Sequence, residues 1–189
     1  MLKTKFIALL LVVGCVAIGV SPAVAQTAKP TVIAVINYAQ AMRESKAGQS
    51  VREQVDKQRA VYQTEIKATQ TKLEAAKQEL LQQQAVLAAD AFARKRQEFQ
   101  QQAEELQRTA QMRKRALDQM QAAGFSEIEK ALRAVLEDIV KERGLDLVLN
   151  AGPGTSTVLM AGKEMFITEE AIKRLDQKLP KVTVKPVAE

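Results

Sequence analysis

The most extended pattern in the sequence is a stripe of apolar residues repeated every seven positions between residues 49 and 123. This stretch contains no Gly and no Pro and is rich in Gln, Ala, Lys, Arg and Glu, a composition typical of long helices. A seven-residue step keeps a narrow stripe on one side of a slightly underwound helix, as in a coiled coil. The pattern therefore predicts helix packed on helix, with a seam formed by Ile66, Leu73, Leu80, Leu87, Phe92, Phe99 and Leu106.

The sequence on either side of this stretch predicts a small body that contains β-strands. A short β-branched run at residues 32–36 is typical of a buried strand. A second strand is predicted at residues 145–149, a third at residues 157–160, and a short strand or lead-in at residues 165–167. The predicted body core consists of Val32, Ile33, Val35, Ile36, Leu147, Val148 and Leu149.

Polar residues and one glycine predict where the long helical stretch begins and ends. Residues 38–44 are expected to form a helical turn, followed by a break at residues 45–48. Ser50 is a plausible N-cap because Glu53 stands three residues later, as in a capping box. Gly144 is expected to end the helical stretch, because glycine readily adopts the left-handed conformation found there.

The C-terminal part of the chain predicts one further helix and a tail. Thr168 is expected to cap a helix over residues 169–179, which is acidic at its start and basic later. Residues 181–189 are expected to form a frayed, flexible tail.

The two ends of the long helical stretch must come together. A lone strand at residues 32–36 cannot pair its own backbone groups, and its predicted partners lie beyond the helical stretch. One straight helix from Ser50 to Arg143 would separate them by roughly 140 Å. The helix is therefore predicted to double back at residues 88–90, with Asp90 capping the second half.

The predicted fold class is α+β, a long antiparallel helical hairpin that projects as a coiled-coil arm from a small β-sheet body. The arm covers residues 49–140, with its tip near residues 87–92. The body combines residues 31–48 with residues 141–180. A body of this size leaves at least one sheet edge exposed, and small cores often need subunit association for stability. We therefore expect an oligomer.

The N-terminus predicts export. Two lysines precede an apolar run at residues 6–20, and the small-residue sequence Ala-Val-Ala ends at Ala25. This pattern is typical of a secretory signal peptide at residues 1–25, cleaved between Ala25 and Gln26. Alternatively, Cys15 ends a loose lipoprotein cleavage box, in which case the exported protein would carry a lipid anchor at that residue.

The composition argues against an enzyme. The 189-residue chain has no His, no Trp and one Cys, and that Cys lies within the predicted signal peptide. Ordinary zinc sites and Ser-His or Cys-His pairs are therefore excluded from the mature chain. The Gly-Pro-Gly sequence at residues 152–154 lacks the Gly-Lys-Ser/Thr end of a phosphate loop and is typical of a turn. We predict no catalytic residue, no metal and no cofactor.

Two basic clusters lie on the second half of the arm, one near the predicted tip and one partway down the return helix. The chain carries 28 Lys and Arg against 22 Asp and Glu, a net charge of +6. Basic runs are usually solvated helix faces, and the alternative is a surface for anionic partners. Export makes lipid headgroups or lipopolysaccharide available and nucleic acid unavailable. The candidate contacts for clients or anionic lipid are Arg94, Lys95, Arg96, Arg113, Lys114 and Arg115.

Taken in order, several segments make the chain similar to the Skp/OmpH family of periplasmic chaperones. The similarity covers essentially the whole chain after the signal peptide. Besides the Gln-rich arm, the segments that carry it are residues 32–37 (VIAVIN), 45–48 (SKAG), 145–150 (LDLVLN) and 167–172 (ITEEAI).

The resemblance implies a periplasmic homotrimer whose bodies join through strands, with three helical arms around a cavity. It implies an ATP-independent holdase that binds unfolded outer-membrane β-barrel proteins there before membrane insertion. It also implies contact between basic arm residues and anionic lipid or lipopolysaccharide. The alternative is an exported structural coiled coil, a spacer or adaptor of the cell envelope, which needs the same arm but no cavity.

Overall fold

Two long helices dominate the structure, a computed structural model that describes residues 29–152 and 158–186. The elements described here belong to one unit, residues 31–189. The predicted signal peptide with its cleavage site at Ala25, and Cys15, lie outside the described residues. In chain order the elements are β1 (Ile33–Ile36), α1 (Tyr38–Glu44), α2 (Lys46–Gln83), α3 (Ala89–Arg143), β2 (Leu147–Asn150), a 3-10 turn (Lys163–Met165) and α4 (Thr168–Lys178).

The helical stretch doubles back and brings its two ends into one sheet. Strands β1 and β2 pair in parallel, with Ile33 opposite Leu147 and Ile36 opposite Asn150. Parallel strands need a crossover connection, and here α1, α2 and α3 supply it. An isolated bridge joins Val35 to Phe166 on the other edge of β1. The predicted α+β fold, a helical hairpin rising from a small sheet, is confirmed.

The body core forms where the last turns of α3 pack against the sheet and α4. The apolar residues of α3 recur at steps of three and four, which places them on one face of the helix. Gly144 adopts the left-handed conformation (φ 59°) and ends α3 as predicted. The largest fully buried side chains include Ile128, Leu132, Val135, Ile139, Val35, Val51, Ile167, Leu175 and Val182.

Helix α2 begins at Lys46, earlier than predicted, because Ser45 is its N-cap. The Ser45 Oγ accepts a hydrogen bond from the Gly48 backbone N–H at 3.2 Å, and the Ser45 side chain is buried. This bond satisfies one of the amides that a first helical turn leaves unpaired. Ser50, the predicted cap, lies inside the helix, so the predicted break at residues 45–48 is confined to Ser45.

The other two predicted caps are also wrong. Ala88 occupies the N-cap position of α3 without a side-chain hydrogen bond, and Asp90 lies in the first turn, where the helix dipole still favours a carboxylate. Thr168 is the first residue of α4 rather than its cap. Its Oγ1 accepts a hydrogen bond from the Asn37 backbone N–H at 2.9 Å, so this side chain ties α4 to the end of β1.

The predicted third strand does not form over the residues that the structure describes. Residues 158–160 have no regular structure, and Leu159 and Met160 are each 93% exposed. A strand needs a partner strand for its backbone groups. Both edges of β1 are occupied, and among the described residues no strand pairs with the outer edge of β2, so this run does not extend the sheet. An apolar run alone was therefore an insufficient signal for a strand here.

Two residues assigned to the body core by sequence lie at the surface. Val32 is 39% exposed and Leu147 is 46% exposed, whereas Val35 and Ile36 are buried. Ile33, Val148 and Leu149 are half-buried. Among the described residues β2 has a neighbouring strand on one side only, so the small sheet covers its side chains incompletely.

The segment that follows α4 packs against the body instead of fraying. Over residues 181–186 the chain has no helix or strand, yet Val182 is 1% exposed. The carbonyl oxygen of Val182 accepts a hydrogen bond from Gln54 Nε2 at 2.7 Å. The buried apolar side chain and the hydrogen-bonded carbonyl hold this segment against the body. The flexible tail that was predicted from its terminal position is therefore wrong for residues 181–186.

Candidate functional site in the helical arm

The arm is tightly packed at its root and loosely packed beyond it. We define the root as Val51 to Tyr62 of α2 together with Arg113 to Gly124 of α3. Its most buried apolar side chains, each no more than 6% exposed, are Val51, Val55, Tyr62 and Met120. Beyond the root, every predicted seam residue is half-buried: Ile66, Leu73, Leu80, Leu87, Phe92, Phe99 and Leu106. The outer arm therefore keeps part of its apolar stripe accessible.

The loose packing opens a groove between the two helices just beyond the root. Its volume is about 860 Å³, and Ile66, Leu73 and Leu106 form its apolar part. Charged side chains from both helices, including Lys72 and Glu98, line it as well. A surface that mixes apolar and charged groups can bind many polypeptide segments weakly, because none of its contacts requires one particular sequence.

The helices connect at the tip through residues 84–88, slightly before the predicted reversal at residues 88–90. Leu87 lies in this connection, so the seven-residue stripe of α2 ends one step earlier than predicted. Val86 is 84% exposed and presents an apolar side chain at the end of the arm.

Among the described residues, two ion pairs join the arm helices, one near the tip and one at the outer end of the root. Lys95 Nζ lies 3.1 Å from a Glu79 carboxylate oxygen, and this hydrogen bond lowers the pKa of Glu79 below its ordinary value. An Arg113 guanidinium nitrogen lies 3.5 Å from a Glu65 carboxylate oxygen. Exposed ion pairs of this kind contribute little to the free energy of folding. Their main effect is on how α2 and α3 align, and not on how tightly the two helices associate.

The six basic residues selected from the sequence divide into two groups. Lys95 and Arg113 point toward α2, because each forms one of the cross-helix ion pairs. The other four are exposed to solvent and form no ion pair within the described part of the chain: Arg94, Arg96, Lys114 and Arg115. Each basic cluster of the sequence therefore contains one residue that pairs with α2 and two that do not. We call the four residues without an ion pair the outward basic residues, and of the six they are the ones available to an anionic partner.

Arg113 lies at the outer end of the root, where its side chain packs on Tyr62. Its guanidinium carbon lies 4.5 Å from the centre of the Tyr62 ring, and its side chain is only 27% exposed. We expect Arg113→Ala to lower the free energy of unfolding by about 1 kcal/mol, because a partly desolvated cation-π contact is lost. Urea denaturation measures this change.

Arg115→Ala is the matched control, since Arg115 is exposed and belongs to the same sequence cluster. A surface substitution of this kind should change stability by less than about 0.5 kcal/mol. Equal effects of the two substitutions would contradict the structural role assigned to Arg113.

Other kinds of site find no support in the described residues. Within residues 29–152 and 158–186, no group of three or more acidic, His or Cys side chains is placed to hold a metal ion. Over the same ranges, no helix combines the length and the apolarity that a membrane crossing requires.

A sequence profile of the family described as "Outer membrane protein (OmpH-like)" matches residues 32–175. This match covers both strands of the sheet, the whole arm and most of α4. The chain belongs to the OmpH-like family. The resemblance inferred from the sequence is thereby confirmed.

The fold of this OmpH-like chain has also been seen in a crystal structure. A protein from Caulobacter crescentus, described as a candidate OmpH-like outer membrane chaperone, aligns with a TM-score of 0.75 at 18% sequence identity. The alignment covers 84% of this chain and 92% of the other. At this identity the likeness establishes the shared fold. No curated protein matched the sequence.

Sequence reasoning missed two residues that shape the arm of this OmpH-like protein. Tyr62 lies four residues before Ile66 and Arg113 seven residues after Leu106, so both continue the seam. Extending the seam toward the body, by the four-residue step within a heptad for Tyr62 and by the seven-residue step for Arg113, would have found them. Arg113 was assigned to the surface because it stands in a basic run, although its phase places it at the seam.

Proposed function

We propose that this OmpH-like protein is a periplasmic, ATP-independent holdase. It binds unfolded outer-membrane β-barrel proteins between helical arms of a homotrimer and prevents their aggregation before membrane insertion. It performs no catalysis in this role. The signal peptide predicted at residues 1–25 supports export to the periplasm.

The observation that carries this proposal is the half-buried apolar stripe of the outer arm. Strands of outer-membrane barrels alternate apolar and polar residues. A surface on which Leu73, Phe99 and Leu106 stay partly accessible among charged and Gln side chains offers weak contacts to both kinds of residue. Binding the unfolded client lowers the concentration of free, aggregation-prone chains by mass action.

Family membership supports the same function. The matched profile spans the arm and the body together, and the Caulobacter crescentus protein of the same fold is described as a candidate outer membrane chaperone. Exposed apolar side chains, which include Leu147 on β2 and Leu159, support an oligomer because association would cover them.

The test is an aggregation assay with a urea-denatured outer-membrane β-barrel protein diluted into buffer without nucleotide. We expect one assembly of this protein per client to suppress light scattering almost completely. The matched control removes two heptads from each arm helix, residues 67–80 and 96–109, and keeps the body, the root and the tip. That variant should protect poorly, because most of the accessible stripe is gone.

Two outcomes would contradict the holdase. One is full aggregation of the client in the presence of the intact protein. The other is equal protection by the shortened variant, which would place client binding on the body. A monomer, or a closed rod in small-angle scattering, together with failed protection would favour the alternative function, an envelope spacer or adaptor.

We also propose that the four outward basic residues contact anionic lipid or lipopolysaccharide. Arg94 and Arg115 each stand two residues after a seam position, so they lie about 200° around α3, on the side away from α2. Arg96 and Lys114 are eighteen residues apart, which is about five full turns, so they share a second face. This second face flanks the seam and is exposed. Positive charge on it and on the side away from α2 supports contact with an anionic surface.

A further inference from the structure

The C-terminal segment at residues 181–186 crosses the root of the arm in an extended conformation. It follows Pro180, which comes directly after the last residues of α4 and cannot continue a helix. Its residues alternate between exposed and covered, since Lys181 and Thr183 are exposed while Val182 is buried and Val184 is half-buried. This alternation is what an extended segment shows when one side lies against a surface.

Gln54 of α2 holds the segment by its backbone. Gln54 Nε2 donates to the Val182 carbonyl oxygen at 2.7 Å, and the Val184 backbone N–H donates to Gln54 Oε1 at 3.1 Å. The Ser50 hydroxyl donates to the same Val182 carbonyl at 3.4 Å. One side-chain amide thus satisfies a donor and an acceptor of the segment, as a neighbouring strand would.

The segment also contacts α3 at a glycine. A Cβ atom on Gly124 would lie 2.9 Å from Val184 Cγ1 and 2.6 Å from Val51 Cγ2. Gly124 is therefore a point at which α2, α3 and the segment approach one another closely, and no larger residue fits without movement. Val182 belongs to the buried apolar core, and Val184 packs against that core.

We propose that residues 181–186 form a strap that locks α2 against α3 at the root and so sets how freely the arm can move. The family profile ends at residue 175, so the segment lies beyond the part of the chain that matches the family. It joins the end of α4, in the body, to both arm helices through side-chain contacts. The strap stands independently of the proposed holdase, because it concerns the stiffness of the arm and not what the arm binds.

The test measures amide hydrogen exchange residue by residue in the full chain. Val182→Thr keeps the size of the side chain but places a hydroxyl in an apolar site. Thr183→Val is the matched control, because it makes the reverse exchange at an exposed position of the same segment. We expect Val182→Thr to speed exchange at least about tenfold in residues 47–55 and 120–128, since local opening of the root becomes easier.

A second pair of variants removes the amide contact instead of the apolar one. Gln54→Ala deletes both hydrogen bonds to the strap, and Gln63→Ala removes an exposed glutamine of the same helix. Gln54→Ala should reproduce the faster exchange at the root, and Gln63→Ala should not. Protection at Leu132 and Ile139, deep in the body core, should stay unchanged in all four variants.

Two results would overturn the strap. Unchanged exchange at the root in both Val182→Thr and Gln54→Ala would show that the segment holds nothing there. Faster exchange at the root and at Leu132 and Ile139 to the same extent would show that the segment only adds to global stability. Normal client protection by these variants would not contradict the proposed holdase function. Failure of the unchanged protein to protect clients would contradict the holdase and would not bear on the strap.

Discussion

Replacing Gly48 with Ala should lower the free energy of unfolding by about 3 kcal/mol or more, because the body has no room for a methyl group there. An added Cβ would lie 2.1 Å from the carbonyl oxygen of Met42. That atom belongs to the backbone of α1, so it cannot move away by changing a rotamer. Relief requires α1 and α2 to separate at Ser45, where the Gly48 amide bonds to the Ser45 hydroxyl.

Ordinary helix propensity predicts the opposite result for this substitution. Ala is favoured over Gly inside a helix by up to about 1 kcal/mol. Gly48 lies in the first turn of α2, so an argument from local structure alone would call Gly48→Ala stabilising. The sign of the measured change therefore decides whether the close contact between α1 and α2 exists.

Gly144→Asn is the matched control for Gly48→Ala. Gly144 has a positive φ of 59°, and nothing lies within 4 Å of an added Cβ. Asn tolerates the left-handed conformation better than other residues, so this substitution should cost well under half as much. Urea or thermal unfolding of both variants gives the comparison, and a neutral or stabilising Gly48→Ala would contradict the packing described here.

The architecture of this protein could be predicted because its strongest constraints are visible in the sequence. The β-branched run at residues 32–36 needs a backbone partner, and the nearest predicted strand lies beyond more than ninety residues of helix. Only a reversal satisfies both, and it brings β1 and β2 together as neighbouring strands. The seven-residue stripe likewise predicted a seam, because a coiled coil is specified by spacing and not by distant contacts.

Details that depend on contacts between distant segments could not be predicted. Ser45 and Ser50 are equally good caps by composition, and the choice depends on where α1 stops. Thr168 resembles a cap, but the amide it bonds belongs to Asn37, far away in sequence. The reversal was predicted slightly too late because residues 84–88 contain no Gly or Pro and include Leu87, which continues the seven-residue pattern.

The same limit applies to the candidate site. A run such as residues 113–115 shows that charge is present, whereas the helix phase relative to the partner decides which side chain faces inward. The strap at residues 181–186 could not be predicted for a related reason. Its partners Gln54 and Gly124 are far away in sequence, and Gly124, although it is the only glycine between residues 49 and 143, does not reveal which segment packs against it.

The largest functional effect should come from neutralising the four outward basic residues together. We expect the variant Arg94→Gln, Arg96→Gln, Lys114→Gln and Arg115→Gln to bind anionic lipid vesicles roughly 30- to 150-fold more weakly. A basic residue near an anionic membrane surface contributes about 1 kcal/mol, and two or three of the four can face one surface at a time. Vesicles with and without anionic lipid, titrated at low salt, measure the change.

The control variant must carry the same net charge, since loss of positive charge weakens attraction to any anionic surface. Substituting Gln at four exposed lysines of the body half of the chain meets this condition, at Lys130, Lys141, Lys163 and Lys173. This control should bind within a few-fold of the unchanged protein. Equal weakening of both variants would show that net charge, and not the arm, attracts the lipid.

Client protection separates the two uses of the arm. The four outward residues include two on the side away from α2, whereas the accessible apolar stripe lies between the helices. The four-residue variant should therefore lose vesicle binding and keep most of its ability to prevent aggregation. Because surface charges are screened within about 10 Å at 0.1 M salt, vesicle binding by the unchanged protein should also fall steeply as salt rises. Loss of both activities together would place lipid and client on the same face of the arm.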